Sequence, residues 1–497
     1  MGNVAVGKKM IFLVVDSFHP KALKRALERR MVPALEFIVN RGFCSDRCVS
    51  VFPTMTPTCA SSIATGTLPF QHLIPGFVWY HRREKRIINY GMSPLAVIKL
   101  GVRRVVQDLL FNLNHNQLSN KVKTIYETLE QGGFTTGAVN PFIFRACREH
   151  NTKMPLSLKI ASAFGLGGPV LGPGKLFLGR IVPPPGLKGI LLTQQHFFHK
   201  YGVNDRYSGA VAEWIIRSGF QPDLLSLYLP DNDGYAHRRD PALTEDSLAR
   251  VDRQLQKIMN CFRDWEDALE KNIFVIAGDH SQSLVETSGE HIINLPAILN
   301  RFSLLKLGKS PGGGEDMAVC VNERMCHIYF LNNNADLRGR VLETLGRESR
   351  IDQISWKENG WYRVARGGNG EEIFFRPGDV YRDEYGQGWE ISGKPAVLDV
   401  ELGEGRVVYG DYPDTFNRLM GLLECENAGD VVLTARPGYE FMDEYSTSHR
   451  GGGSHGALHR EDSLVPLAIS DRGYSLSNPR LQDIAALIRA YFGVASE

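Results

Sequence analysis

Five short polar clusters carry the residue types that metal-dependent phosphoryl transfer requires. They combine carboxylates, imidazoles and one hydroxyl, and each follows or flanks an apolar run or lies in a glycine-rich loop. The clusters are Asp16, Thr56, Asp233 with His237, Asp279 with His280, and His455. Carboxylates and imidazoles bind zinc-like cations, and two such cations stabilise the attacking and leaving oxygens of a phosphoryl group. Together the clusters predict a hydrolytic two-metal site.

Thr56 supplies the hydroxyl of this set. The apolar pair Val51–Phe52 runs into hydroxyl residues, and a helical stretch begins where Thr56 is followed by Pro57. The pattern predicts Thr56 as a helix N-cap with proline at the first helical position. A simple cap is one interpretation. The other is a nucleophile, because a helix N-terminus favours an anionic phosphoryl group and a bound cation lowers the pKa of a hydroxyl.

The second pair, Asp233 and His237, is spaced four residues apart. One helical turn, or a loop, puts both side chains on one face. Asp231 competes for the same role, and a plain polar turn at Asn-Asp-Gly is the alternative.

The last two clusters sit where the backbone can turn sharply. Asp279 and His280 follow an apolar run and a glycine, so both can reach one cation, although a capping aspartate beside an incidental histidine is the alternative. His455 lies within Gly451–Gly456, which contains four glycines. Glycines allow the backbone to approach a bound group closely, whereas a surface loop is the simpler interpretation.

The elements that position these residues alternate between strand and helix. The apolar runs Ile11–Val15, Leu224–Leu229 and Ile273–Ala277 predict buried strands, and each leads into an acidic segment. A long amphipathic helix is predicted over Leu243–Glu270. This order predicts an α/β fold with a mostly parallel central sheet and helices on both faces. Sites in such sheets form at the carboxyl ends of strands, where the acidic segments fall.

Two regions interrupt the alternation. The Gly/Pro-rich residues 151–200 predict a loop or lid, and short strand-like pieces in 301–427 predict an inserted α+β cap subdomain. The catalytic core is then expected in two parts, 1–300 and 428–497. Val431–Ala435 is predicted as a strand of the closing part.

Composition excludes several classes of protein. The 497 residues carry a formal net charge of +2, without a dense Lys/Arg stripe, so neither a nucleic-acid polymer nor an anionic membrane is indicated as a partner. No segment approaches the ~20 apolar residues of a membrane span, and Met10–Val15 is too short for a secretory signal. Eight scattered cysteines suit reduced thiols. We expect a cytoplasmic enzyme with a small-molecule phosphoester substrate, and composition leaves its oligomeric state open.

The ordered motifs resemble the alkaline phosphatase superfamily, specifically its type I phosphodiesterase/nucleotide pyrophosphatase branch. The similarity covers residues 10–150, 200–295 and 428–490. It rests on Val15-Asp16, Phe52-Pro-Thr-Met-Thr56 with Ala64-Thr-Gly66, Asp233-x-x-x-His237, Gly278-Asp-His280 and Gly-Ser-His455-Gly.

The resemblance implies a metal-dependent hydrolase of phosphate diesters or nucleotide pyrophosphate-type bonds. It implies in-line attack by Thr56, a phosphothreonine intermediate and two zinc ions, with manganese also compatible with such ligands. One ion would be held by Asp16, Thr56, Asp279 and His280, and the other by Asp233, His237 and His455. A phosphomonoesterase or phosphonate hydrolase on the same residues is the alternative function, and a non-catalytic metal-binding protein of the same fold is a third.

Two residues are expected to influence the choice of substrate. Relatives often carry an asparagine three residues after the nucleophile, where this chain has Cys59, a weak hydrogen-bond donor. Tyr80 is an aromatic residue that can stack on a base, cover a lipid headgroup or simply pack in the core. Both are candidate substrate-binding residues.

Overall fold

Two large β-sheets organise the chain, one with seven strands and one with nine. The structure is a computed structural model that describes residues 7–163, 165–185, 201–332, 335–474 and 476–495.

The strands of the described residues are β1 (Lys9–Val15), β2 (Phe43–Val49), β3 (Val78–His81), β4 (Arg86–Asn89), β5 (Thr136–Val139), β6 (Arg148–Asn151), β7 (Pro169–Gly172), β8 (Lys175–Phe177), β9 (Leu224–Leu229), β10 (Asn272–Gly278), β11 (Ser283–Leu284), β12 (Ile292–Asn294), β13 (Met317–Asn322), β14 (Met325–Phe330), β15 (Ile351–Glu358), β16 (Trp361–Arg366), β17 (Glu372–Arg382), β18 (Gly388–Gly393), β19 (Val400–Gly403), β20 (Arg406–Tyr409), β21 (Val431–Ala435), β22 (Glu440–Met442), β23 (Gly453–Ser454) and β24 (Leu464–Ile469).

The α-helices are α1 (Pro20–Glu28), α2 (Pro33–Arg41), α3 (Thr56–Thr65), α4 (Pro69–His72), α5 (Pro94–Leu100), α6 (Val102–Val106), α7 (Ile125–Gln131), α8 (Leu156–Ala161), α9 (Asp205–Arg217), α10 (Asp231–Ala236), α11 (Glu245–Met259), α12 (Trp265–Lys271), α13 (Leu295–Ile298), α14 (Ala335–Gly346), α15 (Thr415–Leu423), α16 (Arg460–Ser463) and α17 (Asp483–Tyr491). The segment Gln107–Gln117 continues α6 as a π-helix.

The central sheet has the strand order β2-β24-β10-β1-β9-β5-β8. Strand β1 pairs in parallel with both β10 and β9, and β5 pairs in parallel with β9 and β8. Only β24 runs antiparallel to its neighbours, β10 and β2. The mostly parallel α/β sheet predicted from the alternating elements is therefore confirmed.

Both faces of this sheet are covered by helices, because the side chains of β1 alternate between two hydrophobic cores. Met10 and Phe12 pack into a core that includes residues of α3, α7 and α17. Ile11 and Leu13 face the other core, which includes residues of α1, α2, α9, α11 and α12. A strand with both faces buried reads as a continuous apolar run, which is why the sequence pattern identified it.

The helix predicted over Leu243–Glu270 is broken in the structure. Helix α11 ends at Met259, and α12 starts again at Trp265. Asp264 caps the second helix, since its side chain accepts a hydrogen bond of 2.8 Å from the backbone N–H of Asp267. A capping aspartate within an amphipathic pattern restarts the helix and redirects its axis.

The nine-stranded sheet has the order β13-β14-β21-β15-β16-β17-β20-β19, with β18 paired to β17. All of its strands except one come from the expected cap segment, 301–427. The exception is Val431–Ala435, which lies between β14 and β15 rather than in the central sheet. Its apolar run predicted a strand correctly, but a strand buried on both faces fits either sheet.

The expected loop or lid at 151–200 is described only in part, because residues 164 and 186–200 lie outside the described ranges. The rest contains α8 and the short strands β7 and β8. Within the described residues no helix is long and apolar enough to cross a membrane. All eight cysteines are free thiols.

The buried histidine His327 in β14 is expected to make the free energy of unfolding sensitive to acid. Its Nε2–H donates to the carbonyl of Pro75 at 3.0 Å, and its Nδ1 accepts from the N–H of Gly429 at 3.2 Å, so the imidazole is neutral. Burial lowers its pKa from 6.5 to about 4. The stabilisation from this neutral ring is therefore complete above pH 6.5 and is lost as the pH falls towards 4, by on the order of 3 kcal/mol.

We expect His327→Gln to flatten the fall in unfolding free energy between pH 6.5 and 4.5, as measured by urea denaturation. His150→Gln is the matched control, because His150 also contacts a proline carbonyl, that of Pro173, but is partly exposed. If the free energy of unfolding falls equally steeply with pH in wild type and in His327→Gln, groups other than His327 cause the acid sensitivity.

Candidate active site and metal centre

Three acidic segments meet at one edge of the central sheet. Asp16 follows β1, α10 begins at Asp231 just after β9, and Asp279 follows β10. Because β9, β1 and β10 are parallel neighbours, their carboxyl ends lie side by side. This is the edge at which open α/β sheets form their sites.

Thr56 is the first residue of α3, one position further into the helix than the N-cap position predicted from the sequence. The N-cap residue is Met55, so Thr56 is the first helical residue and Pro57 the second. Its hydroxyl is buried and lies 3.2 Å from Nε2 of His280. The hydroxyl therefore remains at the positive end of the helix dipole.

A first group of side chains surrounds this hydroxyl. His280 Nε2 lies 3.4 Å from Oδ1 of Asp16 and 3.8 Å from Oδ2 of Asp279. One ligand atom each from Asp16, His280 and Asp233 fall within 4.8 Å of one another. The structure thus brings Asp16, Thr56, Asp279 and His280 together.

A second group lies beside the first. Helix α10 puts Asp233 and His237 one turn apart, and Oδ2 of Asp233 is 3.3 Å from His237 Nε2. The other oxygen, Oδ1, is 3.7 Å from Nε2 of His455. These three residues form a second cluster able to hold a cation, whereas Asp231 belongs to none of the clusters found among the described residues.

The three imidazoles share one orientation that suits ligands. Each Nδ1 lies against a backbone carbonyl, which can only accept, so Nδ1 carries a proton and Nε2 is the atom left to bind a cation. The contacts are His237 Nδ1 to Gly453 O at 2.8 Å, His455 Nδ1 to Thr54 O at 2.7 Å, and His280 Nδ1 to Ser281 O at 3.2 Å. Metal-binding histidines are typically held in this way.

Among the candidate metal ligands, two buried carboxylate oxygens have no hydrogen-bond partner in the described part of the chain, Oδ1 of Asp16 and Oδ2 of Asp279. Burial raises the pKa of Asp16, and the carboxylates of Asp279 and Asp233 raise it further. Burial likewise raises the pKa of Asp279 to about 7. Unpaired buried carboxylates are costly, and a cation at this position would neutralise them. The donor set therefore fits divalent metal ions with N/O preference.

The imidazoles differ in charge. Burial lowers the pKa of His455 to about 4 and also lowers that of His280, so both rings are neutral, as ligands must be. Burial also acts to lower the pKa of His237, but the carboxylates of Asp233 and Glu323 outweigh it and raise the value to about 10. His237 is the ring on which a proton competes with a cation.

Two residues near the site were missed by the sequence analysis, Glu323 and His449. Glu323 Oε1 lies 3.7 Å from His237 Nε2, and its Oε2 lies 3.6 Å from His455 Nε2. The ring of His449 stacks on His237 with centroids 4.2 Å apart. Neither residue belongs to a recognisable motif, since Glu323 looks like an ordinary polar residue between two strands.

The glycines near His455 permit close approach of the loops. A Cβ on Gly453 would lie 2.1 Å from Oε1 of Gln282 and 2.5 Å from a ring carbon of Pro241. The carbonyl of the same glycine accepts from His237, so a side chain there would displace a ligand. This agrees with the interpretation of the glycine-rich segment as a site for close backbone approach.

A cavity of about 1050 Å³ opens from the site and is lined in part by Asp16, Thr56 and Asp233. Much of its wall is apolar, and the lining includes Phe77, Phe142, Phe144 and Leu178. Basic side chains also line it, among them Arg206, Arg250 and Lys257.

The two residues that the sequence analysis expected to contact the substrate, Cys59 and Tyr80, are buried in the structure. Cys59 is fully buried in a hydrophobic core, with its Sγ 3.4 Å from Ser50 Oγ. Tyr80 packs on Tyr329, with ring centroids 5.6 Å apart. Neither belongs to the described lining of the cavity, because their side chains fill the interior around it.

Comparison with protein families finds one match, to the model of the type I phosphodiesterase/nucleotide pyrophosphatase family, over residues 10–458. A search of curated proteins gives no match.

Solved structures share the fold over nearly the whole chain. Phosphonoacetate hydrolase from Sinorhizobium meliloti 1021, solved with phosphonoformate, is 16% identical with a TM-score of 0.55, covering 98% of this chain and 96% of its own. Human ectonucleotide pyrophosphatase/phosphodiesterase 5 is 13% identical with a TM-score of 0.57, covering 99% and 96%. An inactive threonine-to-alanine variant of the murine protein, in complex with AMP, is 12% identical with a TM-score of 0.56, with the same coverage.

Proposed function

The chain belongs to the type I phosphodiesterase/nucleotide pyrophosphatase family, and from that premise we propose that it hydrolyses phosphate diesters or nucleotide pyrophosphate-type bonds by in-line attack of Thr56. The family makes it a metal-dependent phosphoric ester hydrolase. One observation carries the finer proposal. The Thr56 hydroxyl lies at a helix N-terminus, 3.2 Å from Nε2 of His280 and beside carboxylate oxygens of Asp16 and Asp279 that have no hydrogen-bond partner among the described residues.

Two zinc ions are the proposed cofactor, with manganese as a substitute, and when bound they would activate the Thr56 hydroxyl and offset the charge on the phosphoryl oxygens. Asp16, Thr56, Asp279 and His280 would hold one of them. Asp233, His237 and His455 would hold the other. The cluster of Asp233, His237 and His455 and the cluster of Asp16, Asp233 and His280 support two adjacent positions. The distance of 3.8 Å between Oδ2 of Asp279 and Nε2 of His280 supports assigning Asp279 to the position of Asp16 and His280.

The chain's own groups then act in a defined order. Thr56 gives up its hydroxyl proton, and Oγ1 forms a bond to phosphorus while the bond from phosphorus to the leaving alkoxide breaks. The alkoxide takes a proton and departs as an alcohol. Water then cleaves the phosphothreonine, which restores the hydroxyl of Thr56 and releases a phosphate monoester. The N-terminus of α3 stabilises the phosphoryl charge throughout.

The cavity supports a diester over a monoester. A diester places a second organic group beyond phosphorus, and the cavity of about 1050 Å³ beside Thr56 has room for one. Apolar side chains such as Phe77 and Phe142 suit the organic part of that group, while Arg206 and Lys257 suit an anionic part.

A phosphonate hydrolase is the second candidate, alongside a phosphomonoesterase. It is favoured by the structural similarity to the phosphonoacetate hydrolase of Sinorhizobium meliloti. Such a reaction would use the same threonine on a carbon–phosphorus bond.

We expect the zinc-loaded protein to turn over bis(4-nitrophenyl) phosphate faster than 4-nitrophenyl phosphate or phosphonoacetate, because only the diester uses both the phosphoryl position and the cavity. The measurement is kcat/KM on each compound after dialysis against chelator and addition of zinc or manganese. Faster cleavage of the monoester, or of the phosphonate, would replace the diesterase assignment with the corresponding alternative.

A further inference from the structure

We propose that Glu323 is a further protein ligand of the metal position formed by His237 and His455, so that the second sheet completes the metal centre. The inference rests on the proposed function, since it concerns a cation that the proposal places there. It adds a ligand that none of the sequence motifs contains.

The first argument is geometric. Two carboxylates, those of Asp233 and Glu323, face the same pair of imidazole nitrogens. Asp233 lies 3.3 Å from His237 Nε2 through Oδ2 and 3.7 Å from His455 Nε2 through Oδ1. Glu323 lies 3.7 Å from His237 Nε2 through Oε1 and 3.6 Å from His455 Nε2 through Oε2. Ligand atoms about 2.1 Å from a tetrahedral zinc are about 3.4 Å from one another, so each carboxylate oxygen lies near ligand spacing from the imidazole that it faces.

The second argument is that the carboxylate of Glu323 is held in place. Its Oε2 accepts from the hydroxyl of Ser454 at 3.0 Å and from the backbone N–H of His455 at 3.1 Å. These bonds fix the carboxylate so that Oε1 is the atom nearer to His237. Hydrogen bonds of this kind orient metal-binding carboxylates.

The hairpin that carries Glu323 is itself anchored to the site. The backbone N–H of Arg324 donates to the carbonyl of His455 at 2.9 Å. Its guanidinium is fully buried and bonds to Asp462. The turn between β13 and β14 therefore cannot move away from His455 without breaking a buried ion pair.

The third argument is the backbone of Glu323. Its φ is +56°, in the left-handed region that glycine adopts without steric cost. Glutamate therefore occupies a buried turn position where glycine would be less strained, and strained positions of this kind cluster at functional sites.

Charge supplies a fourth argument. With Glu323 the site has four carboxylates, those of Asp16, Asp233, Asp279 and Glu323. Four carboxylates balance two divalent cations, so the loaded site is neutral before an anionic substrate enters.

The test measures zinc binding by Glu323→Gly and Glu323→Gln after metal removal, using a competing chelator dye to obtain stoichiometry and Kd. We expect wild type to bind two ions tightly, and both variants to keep one tight site while the other weakens by about 10- to 100-fold or more. Glutamine keeps an amide oxygen that can accept the bonds from Ser454 and His455, so metal-free Glu323→Gln should have a Tm close to that of metal-free wild type.

Glu404→Gly is the matched control. Glu404 occupies the first position of the two-residue turn between β19 and β20, has φ of +49°, and is exposed. It should bind both ions as wild type does.

Three results would count against the inference. If both Glu323 variants bind two ions with wild-type affinity, Glu323 is not a ligand, although the proposed function stands. If they weaken both sites equally and lower the metal-free Tm, its role is structural. If wild type itself binds no zinc or manganese, the proposed function fails first.

Discussion

Thr56→Ala is expected to lower kcat for a phosphate diester by roughly 10⁴-fold or more, measured at zinc concentrations that saturate both positions. Alanine lacks the oxygen that would bond to phosphorus, and removing a nucleophile typically costs this much or more. Thr56→Ser keeps an attacking oxygen and should retain a measurable fraction of the activity. Rapid-quench mass spectrometry of wild type should detect one phosphoryl group on the peptide that contains Thr56.

Thr58→Ala is the control for this substitution. It makes the same chemical change two residues later in the same helix, and the Oγ1 of Thr58 is buried without a hydrogen-bond partner among the described residues. Loss of that hydroxyl removes no bond, so activity should stay near wild type. If Thr56→Ala remained as active as Thr58→Ala with metal bound, the attacking group would have to be water or another side chain.

Metal removal is the second change with a large expected effect. Exhaustive chelation should reduce activity to background and lower Tm by several degrees, because one oxygen each of Asp16 and Asp279 then lies buried without a partner. Zinc should restore both activity and Tm. Activity and a Tm that persist after the metal content has fallen to zero would remove the basis of the proposed mechanism.

The same measurement has a pH dependence of known sign. In the metal-free protein the pKa of Asp279 is raised to about 7 by burial, so below pH 7 a proton occupies the carboxylate that a cation needs. A proton on His237, whose pKa is raised to about 10, also competes over the whole range. Apparent zinc affinity should therefore fall as the pH drops, more steeply below about 7, by up to about tenfold per pH unit for each proton displaced. Isothermal titration between pH 5.5 and 8 checks this, and an affinity that is flat over the range would contradict it.

Much of the central sheet was predictable because its strands are apolar on both faces and its acidic residues follow them directly. Lys9–Val15, Leu224–Leu229 and Asn272–Gly278 are of this kind. Adjacent polar residues at strand ends then indicated which side chains would meet. Residues with a local signature, such as Asp279 after Gly278, could therefore be found without coordinates.

Residues without a local signature could not be found. Glu323 reaches the site because a hairpin of the second sheet packs on His455, and nothing in Asn322–Arg324 encodes that contact. Cys59 and Tyr80 were predicted as substrate contacts from their positions in the chain, and that remains a prediction. The direction in which a side chain faces depends on packing, and the structure buries both.

The order of strands in the central sheet has a consequence for synthesis on the ribosome. Strand β24 lies between β2 and β10, yet it is translated long after both of them. Until β24 emerges from the ribosome, β2 has no neighbour in the sheet. His455 precedes β24 closely in the chain and therefore emerges only shortly before it. A chain released by premature termination before Leu464 would thus expose the edges of β2 and β10, and exposed strand edges promote aggregation.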